Sequence, residues 1–182
     1  MNNFPTLYTK RLVLSQPTIS DVEDVVFQMN STPEISENTL SLPFPYQEEN
    51  AHFWFKMAED GFANKDAFIF GIREKENLKL IGAIGLHIDL GNNKAEVGYW
   101  LGKSFWNKGY VSEALQEVIK FGFKDLNLNK IYASHFLHNP ASGKVLEKNG
   151  FTFEAVLLQE IFKNKQYLDL RRYSYLKQNY KI

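Results

Sequence analysis

EVGYWLGKSFWNKGYVSEAL, Glu96 to Leu115, reads as a strand, then a short loop holding Lys108-Gly109, then a helix that begins at once. A glycine loop that feeds a helix N-terminus gathers free backbone N–H groups. With the helix dipole, those groups favour a phosphate or pyrophosphate. About thirty residues after Gly109 comes NPASGKVLEKNGF, Asn139 to Phe151, which reads as a strand end, a polar turn and a short helix. Together the two segments point to a pocket for a phosphorylated cofactor between neighbouring strands.

On the C-terminal side, residues 109–126 keep a three-four apolar spacing through Val111, Ala114, Leu115, Val118, Ile119, Gly122, Phe123 and Leu126, which predicts a helix. Residues 130–137 read as a strand and 140–148 as a helix. Residues 151–160 and 168–177 read as strands paired across the polar turn FKNKQY. On the N-terminal side, 94–101 is a strand returning from a hairpin at Gly91-Asn92-Asn93. Residues 67–73 and 79–90 are two antiparallel strands, 47–64 a helix, and 31–46 a proline-containing loop with at most one helical turn. Ser20-Asp21 opens a first helix, and 11–15 (RLVLS) is the first strand. The expected fold is a mixed α/β single domain over residues 1–182, with one mostly antiparallel sheet of about seven strands. The helix from Gly109 lies between strands 94–101 and 130–137, so a right-handed crossover makes them parallel neighbours. If this pair splays at its C-terminal ends, a crevice opens beside Gly109 and Asn139.

Composition narrows the function. Lysine plus arginine equals aspartate plus glutamate at 21 each, so no global basic field argues for nucleic acid. Cysteine is absent, which removes disulfides, thiolate metal sites and any thiol nucleophile. The N-terminal stretch MNNFPTLYTKRLVLS lacks the apolar run of a signal peptide or membrane span, so a cytoplasmic protein without membrane contact is expected. His87, His135 and His138 are not spaced as a recognisable zinc site, and no metal is expected.

The element order, with AEVGYWL at Ala95 to Leu101, GYVSEAL at Gly109 to Leu115 and NPASGKVLEKNGF, resembles the GNAT superfamily of acetyl-CoA-dependent N-acetyltransferases over nearly the whole chain. It looks most like the RimJ/RimL branch, which acetylates N-terminal amines of ribosomal proteins. The resemblance implies helices on both faces of the sheet, a splayed central parallel pair, and acetyl-CoA as co-substrate. The superfamily loop Q/R-x-x-G-x-G/A falls on Trp106, Asn107, Lys108, Gly109, Tyr110 and Val111, where only the central glycine matches. Trp106 and Val111 depart from it, and the branch accepts an aromatic at the first position.

By this resemblance, backbone amides from Asn107 to Ser112 bind the pyrophosphate, and Gly109 allows close approach. The backbone of Trp100 and Leu101 pairs with the pantetheine arm and offers an N–H to the oxyanion. Asn139 caps the helix begun by Pro140 and contacts the same arm. The wider superfamily often places a tyrosine acid where this chain has Leu146, and the branch instead uses a serine at the position of Ser142. Ser142 therefore takes the general-acid role. Glu160 is the first candidate base, expected at a strand end before FKNKQY, and Glu96 at the start of the central strand is the second. Tyr167, Asp169 and Tyr173 are left open between acceptor pocket and core.

The implied chemistry is direct attack of an amine on the thioester. An α-amine of pKa about 8 is mostly protonated at neutral pH and needs a base. The expected acceptor is a peptide or protein N-terminal amine. The alternatives are a polyamine, an amino sugar or an amino-acid-like toxin, or a non-catalytic acetyl-CoA sensor that keeps the fold. A homodimer is the one further partner this reading allows. A nucleotide-dependent oxidoreductase does not fit, because the loop lacks G-x-G-x-x-G.

Overall fold

The structure, a computed structural model, describes residues 3–181. Two short strands, β1 (Leu7–Tyr8) and β2 (Leu12–Ser15), precede α1 (Val22–Met29), the single turn α2 (Glu34–Glu37) and α3 (Glu48–Asn64). An antiparallel run of β3 (Ala67–Glu74), β4 (Leu80–Asp89) and β5 (Lys94–Leu101) follows. Then come α4 (Tyr110–Lys124), β6 (Lys130–Phe136), α5 (Pro140–Lys148), β7 (Thr152–Lys163) and β8 (Gln166–Leu176). Among the described residues the sheet has eight strands, in the order β1-β2-β3-β4-β5-β6-β8-β7. It exceeds the expected seven by β1, whose two residues are too few to show a period-two pattern.

Among the described residues only β5 and β6 are parallel neighbours, as the crossover through α4 requires. Their register covers Lys94↔Lys130, Ala95↔Ile131 and Glu96↔Tyr132 and then stops, although β5 runs on to Leu101 and β6 to Phe136. The expected splay is present, and it opens toward the start of α4.

Helices cover both faces. Phe68, Phe70 and Ile72 of β3 join Ala95, Val97 and Leu101 of β5 against Leu115, Val118, Ile119 and Phe121 of α4. Gly122 lets this helix approach closely: a Cβ there would stand 2.8 Å from Ile131 Cδ1 and 3.3 Å from Leu86 Cδ1. On the opposite face Val25 and Met29 of α1 pack with Ala51 and Phe55 of α3. The N-terminal end of α1 is pinned to β3 by a bidentate ion pair. Arg73 Nη1 and Nη2 donate to Asp21 Oδ1 and Oδ2, each at 2.7 Å, and Arg73 Nε donates to Ser15 Oγ at 2.9 Å.

The C-terminal hairpin is longer than its sequence suggests. Most of FKNKQY is strand, and only Asn164 and Lys165 turn, at φ 52° and 63°, the left-handed pair that closes a two-residue hairpin. Glu160 is therefore not at a strand end. It lies inside β7, within the register shift between Leu157 and Ile161 that also contains Gln159 at φ 51°.

Arg73 and Asp21 are nearly out of water, at 14% and 7% side-chain exposure, so removing one strands the other charge. Asp21→Ala should destabilise the domain by about 3–5 kcal/mol in urea unfolding, and the double variant Asp21→Leu/Arg73→Met should lose clearly less. A single variant as stable as the wild type would remove this pair from the framework of the fold.

Candidate active site

Side chains alternate along β5. Ala95, Val97, Tyr99 and Leu101 face α4 and α5, while Glu96 and Trp100 face the α1–α3 side, where Trp100 meets Trp54 of α3 edge-on at 6.4 Å. The backbone alternates too. Gly102 N–H donates to Ile81 C=O at 2.9 Å, one step beyond the register Gly82↔Leu101. Hydrogen-bonded pairs recur every second residue, so Trp100 and Gly98 turn their backbone groups to β4. The groups that face the gap left by β6 are those of Tyr99 and Leu101. This corrects the expectation for Trp100, whose N–H and C=O belong to the sheet. The Leu101 carbonyl already accepts from Trp106 Nε1 at 2.7 Å.

The loop between β5 and α4 has two left-handed residues, Asn107 at φ 60° and Gly109 at φ 78°. Gly109 is the N-cap of α4 and no side chain among the described residues caps this end, so the amides of the first turn stay open. The strand turn that opens the chain braces the loop. Arg11 Nη1 donates to Lys108 C=O at 3.0 Å, Arg11 Nε to Glu113 Oε2 at 2.7 Å, and its guanidinium lies 4.3 Å from the Tyr110 ring centroid. Thr9 Oγ1 and Arg11 N–H both donate to Glu113 Oε1. Sequence reasoning took RLVL for a strand only. Val111 is half-buried against the core, and buried Ser112 Oγ accepts from Asn149 Nδ2 at 3.3 Å.

Asn139 caps α5 as expected, its Oδ1 accepting from Ser142 N–H at 3.3 Å. Ser142 Oγ lies 2.7 Å from the Tyr99 hydroxyl, a contact across the splay that spacing did not reveal. Burial raises the Tyr99 phenol to about 12. Leu146 is fully buried in the core.

Glu96 and Glu160 converge on the opposite face. Burial raises the Glu96 carboxyl above the usual range; Arg172 opposes the shift and Glu160 adds to it. Glu160 is exposed, with Oε1 4.0 Å from Arg172 Nη2, and Arg172 lies over the Tyr132 ring at 5.1 Å. The Lys163 ammonium reaches from β7 to the carbonyls of Ser36 and Thr39, so the loop 31–46 is tied to the hairpin. His87 lies across from Glu96 on β4, and His135 stacks on Tyr173 away from both carboxylates. Tyr173 is core, and Asp169 Oδ1 accepts from Gln159 N–H at 2.7 Å in the bulge. Among the described residues no cluster of three or more His, Cys, Asp or Glu could hold a metal ion, and no helix is long and apolar enough to cross a membrane.

A parted parallel pair, a glycine-capped helix beside it and a capped serine opposite agree with the match of residues 11–152 to the acetyltransferase (GNAT) domain. The chain belongs to the GNAT family of acetyltransferases. The N-acetyltransferase p20 of Bacillus licheniformis is 36% identical over 176 residues, 96% of this chain and 98% of that protein. The ribosomal-protein-serine acetyltransferase of Escherichia coli is 36% identical over 97 residues, 53% of this chain and 54% of its own. The spermidine N(1)-acetyltransferase of Vibrio cholerae is 30% identical over 155 residues, 85% and 87% of the two chains. Among solved structures, RimL, the ribosomal L7/L12 alpha-N-protein acetyltransferase in complex with coenzyme A, superposes with a TM-score of 0.83 at 20% identity, over 94% of this chain and 98% of its own. This GNAT protein is an acyltransferase.

The brace on the loop has a pH signature. Burial alone would raise Glu113, but bonds from Thr9 and from the Arg11 backbone and side chain outweigh it and hold the carboxyl below its ordinary value. A depressed carboxyl contributes stability above its unfolded pKa and loses it as pH falls through the folded one. Glu113→Gln should cost about 1.5–3 kcal/mol at neutral pH. The gap from wild type should close below pH ~4, as read by urea unfolding at both pH values. A gap that persists in acid would mean packing, not charge, carries the brace.

Proposed function

We propose that this GNAT protein transfers an acetyl group directly from acetyl-CoA to a primary amine, with a peptide or protein N-terminus as acceptor. The observation that carries the reading is the parting of β5 and β6 after Glu96↔Tyr132, flanked by the open amides of α4. In this reading the amides from Asn107 through Lys108, Gly109, Tyr110 and Val111 to Ser112 bind the pyrophosphate. Trp106 fixes the rim by holding the Leu101 carbonyl. The pantetheine arm adds to the free edge of β5 at Tyr99 and Leu101, as an extended ligand adds to a sheet edge. The N–H groups there serve the oxyanion. Trp100 contributes its ring to the acceptor side, and Asn139 meets the pantetheine arm from α5.

The two faces of β5 divide the chemistry. The amine approaches from the Glu96 face, and the sulfur departs on the Ser142 face. Acetyl transfer then needs no covalent enzyme intermediate, which suits a chain without cysteine. Glu96 is the better-placed base, because burial brings its carboxyl toward the pH at which it must work, and Glu160 raises it further. This reverses the order expected from sequence. Ser142 donates a proton to the thiolate. Arg172 argues for the peptide acceptor over a polycation: a polyamine would meet a guanidinium beside the two carboxylates, with Lys94 stacked on the same Tyr132 ring at 5.7 Å. The name of the Escherichia coli relative supports a protein acceptor. The name of the Vibrio cholerae relative makes spermidine the competitor to include.

Acetyl-CoA at a hundred times its dissociation constant should stabilise the protein by about 2.7 kcal/mol. Gly109→Asp should abolish the shift, because it places a carboxylate at a left-handed position against the pyrophosphate. An unchanged wild-type melt would remove the coenzyme site. Acetylation of N-terminal peptides, spermidine and amino sugars, followed by CoA release, names the acceptor; spermidine as the preferred substrate would overturn the peptide assignment.

Glu96→Gln should lower kcat by roughly 10²–10⁴ at neutral pH. In the wild type, kcat/KM should rise with pH as Glu96 loses its proton, above the ordinary carboxylate range. Glu160→Gln removes a negative neighbour, so this limb should move to lower pH. Arg172→Gln removes a positive one and should move it higher. If Glu160→Gln abolishes the limb and Glu96→Gln leaves it in place, Glu160 is the base.

A further inference from the structure

The only polar side chain bonded to Ser142 Oγ among the described residues is the phenol of Tyr99, at 2.7 Å. Tyr99 stands three residues past Glu96, the last residue of β5 paired with β6, so its ring projects where the strands have separated. It shares its face of β5 with the core beneath α4, and its oxygen also lies 3.4 Å from the Ser142 carbonyl. The serine is held from its other side by the Asn139 cap. Tyr99 thus anchors the hydroxyl from β5, while the Asn139 cap anchors the backbone that carries it.

The chemistry makes this contact more than a brace. A serine hydroxyl is a weaker acid than a phenol, even one that burial has raised to about 12. Giving its only proton to a thiolate would leave an alkoxide, a stronger base than a phenolate and so a charge the site holds less readily. Position 146, one helical turn beyond Ser142, is a fully buried leucine with no proton to offer. We infer that Tyr99 is the proton source behind Ser142: the serine passes its hydroxyl proton to the departing coenzyme sulfur while it takes the phenolic proton of Tyr99. This rests on the acetyl-transfer reading above.

The step balances. The carbon–sulfur bond breaks and its electron pair goes to sulfur. An S–H bond forms with the proton of Ser142, and a new Ser142 O–H bond forms with the proton of Tyr99. The phenolic electron pair remains as tyrosinate, which takes a proton from water after CoA leaves. The amine proton goes separately to the carboxylate on the other face. Because burial raises the phenol, Tyr99 stays protonated across the neutral range and is always loaded for turnover. Tyr99 acts through Ser142 and is a positioning and proton-supplying residue, not one that touches the coenzyme in this scheme.

The test is single-turnover acetyl transfer by the full chain, with acetyl-CoA and the best peptide acceptor. Tyr99→Phe keeps the ring and should keep the melting temperature within about one degree. It should lose roughly 10–100-fold in the transfer rate with the KM for acetyl-CoA within about twofold. Ser142→Ala should lose at least as much, and the double variant should be no slower than Ser142→Ala alone. In mixtures of light and heavy water the wild-type rate should fall along a curve, as two moving protons require, and Tyr99→Phe should give a straight line. 3-Fluorotyrosine at position 99, which restores the hydroxyl, should recover the rate.

Several results overturn the relay. They are a Tyr99→Phe variant with the wild-type rate, multiplicative losses in the double variant, or a straight line for the wild type. A slow Tyr99→Phe enzyme that keeps the wild-type curve would reduce Tyr99 to a structural prop and equally end the proposal. If the wild type transfers acetyl to no amine, the underlying function fails and the relay falls with it. If it transfers and only the Tyr99 results are negative, the function stands and the relay alone is lost.

Discussion

Beyond Glu96, β5 keeps its bonds to β4 but has none from β6, and the rest of the molecule is arranged around that loss. Backbone N–H and C=O groups removed from water without partners cost about 1–3 kcal/mol each. A sheet left to itself would zip β5 and β6 together to their ends. It is prevented by what enters the gap from each side. Trp106 Nε1 takes the Leu101 carbonyl, and the Tyr99 ring stands across the space with its hydroxyl on Ser142 of α5. The parting is held by side chains and by the seating of α4 and α5, and it is the opening that the proposed pantetheine site requires.

Rigidity on either side makes the gap usable. At one edge the N-terminal strand turn grips the loop ahead of α4 through Arg11, Thr9 and Glu113, which places the open amides relative to β5. At the other, the long β7–β8 hairpin carries Lys163 to the carbonyls of Ser36 and Thr39 and spans the end of β6. The buried pair Arg73–Asp21 fixes the start of α1 on the Glu96 face of the sheet. These contacts join segments far apart in sequence, and each links a loop of functional interest to an element of the sheet. The chemistry then follows from alternation in one strand. Successive side chains of β5 point to opposite faces, so a carboxylate at 96 and a phenol at 99 lie on opposite sides of the same gap. In the proposed transfer, a proton would leave the amine on one side and another would reach sulfur on the other without the two groups meeting.

Sequence by itself determined most of the elements and their connection. The bounds Lys94–Leu101 and Pro140–Lys148 agree with the spans read from periodicity and from proline and glycine punctuation, because those signals act within a few residues. The parallel pairing of β5 with β6 followed from the handedness of a crossover, and the Asn139 cap from the chemistry of a helix start. Tertiary structure alone decided which groups face the gap. Whether Trp100 or Tyr99 offers its backbone depends on which pairs of β4 and β5 exchange bonds, a register that no local pattern records. The place of Glu160 turned on a bulge and a two-residue turn, where a left-handed Gln159 breaks the alternation that sequence reading assumes. The contacts Arg11–Glu113 and Tyr99–Ser142 join residues 102 and 43 positions apart, and such pairs exist only once the core has brought their elements together.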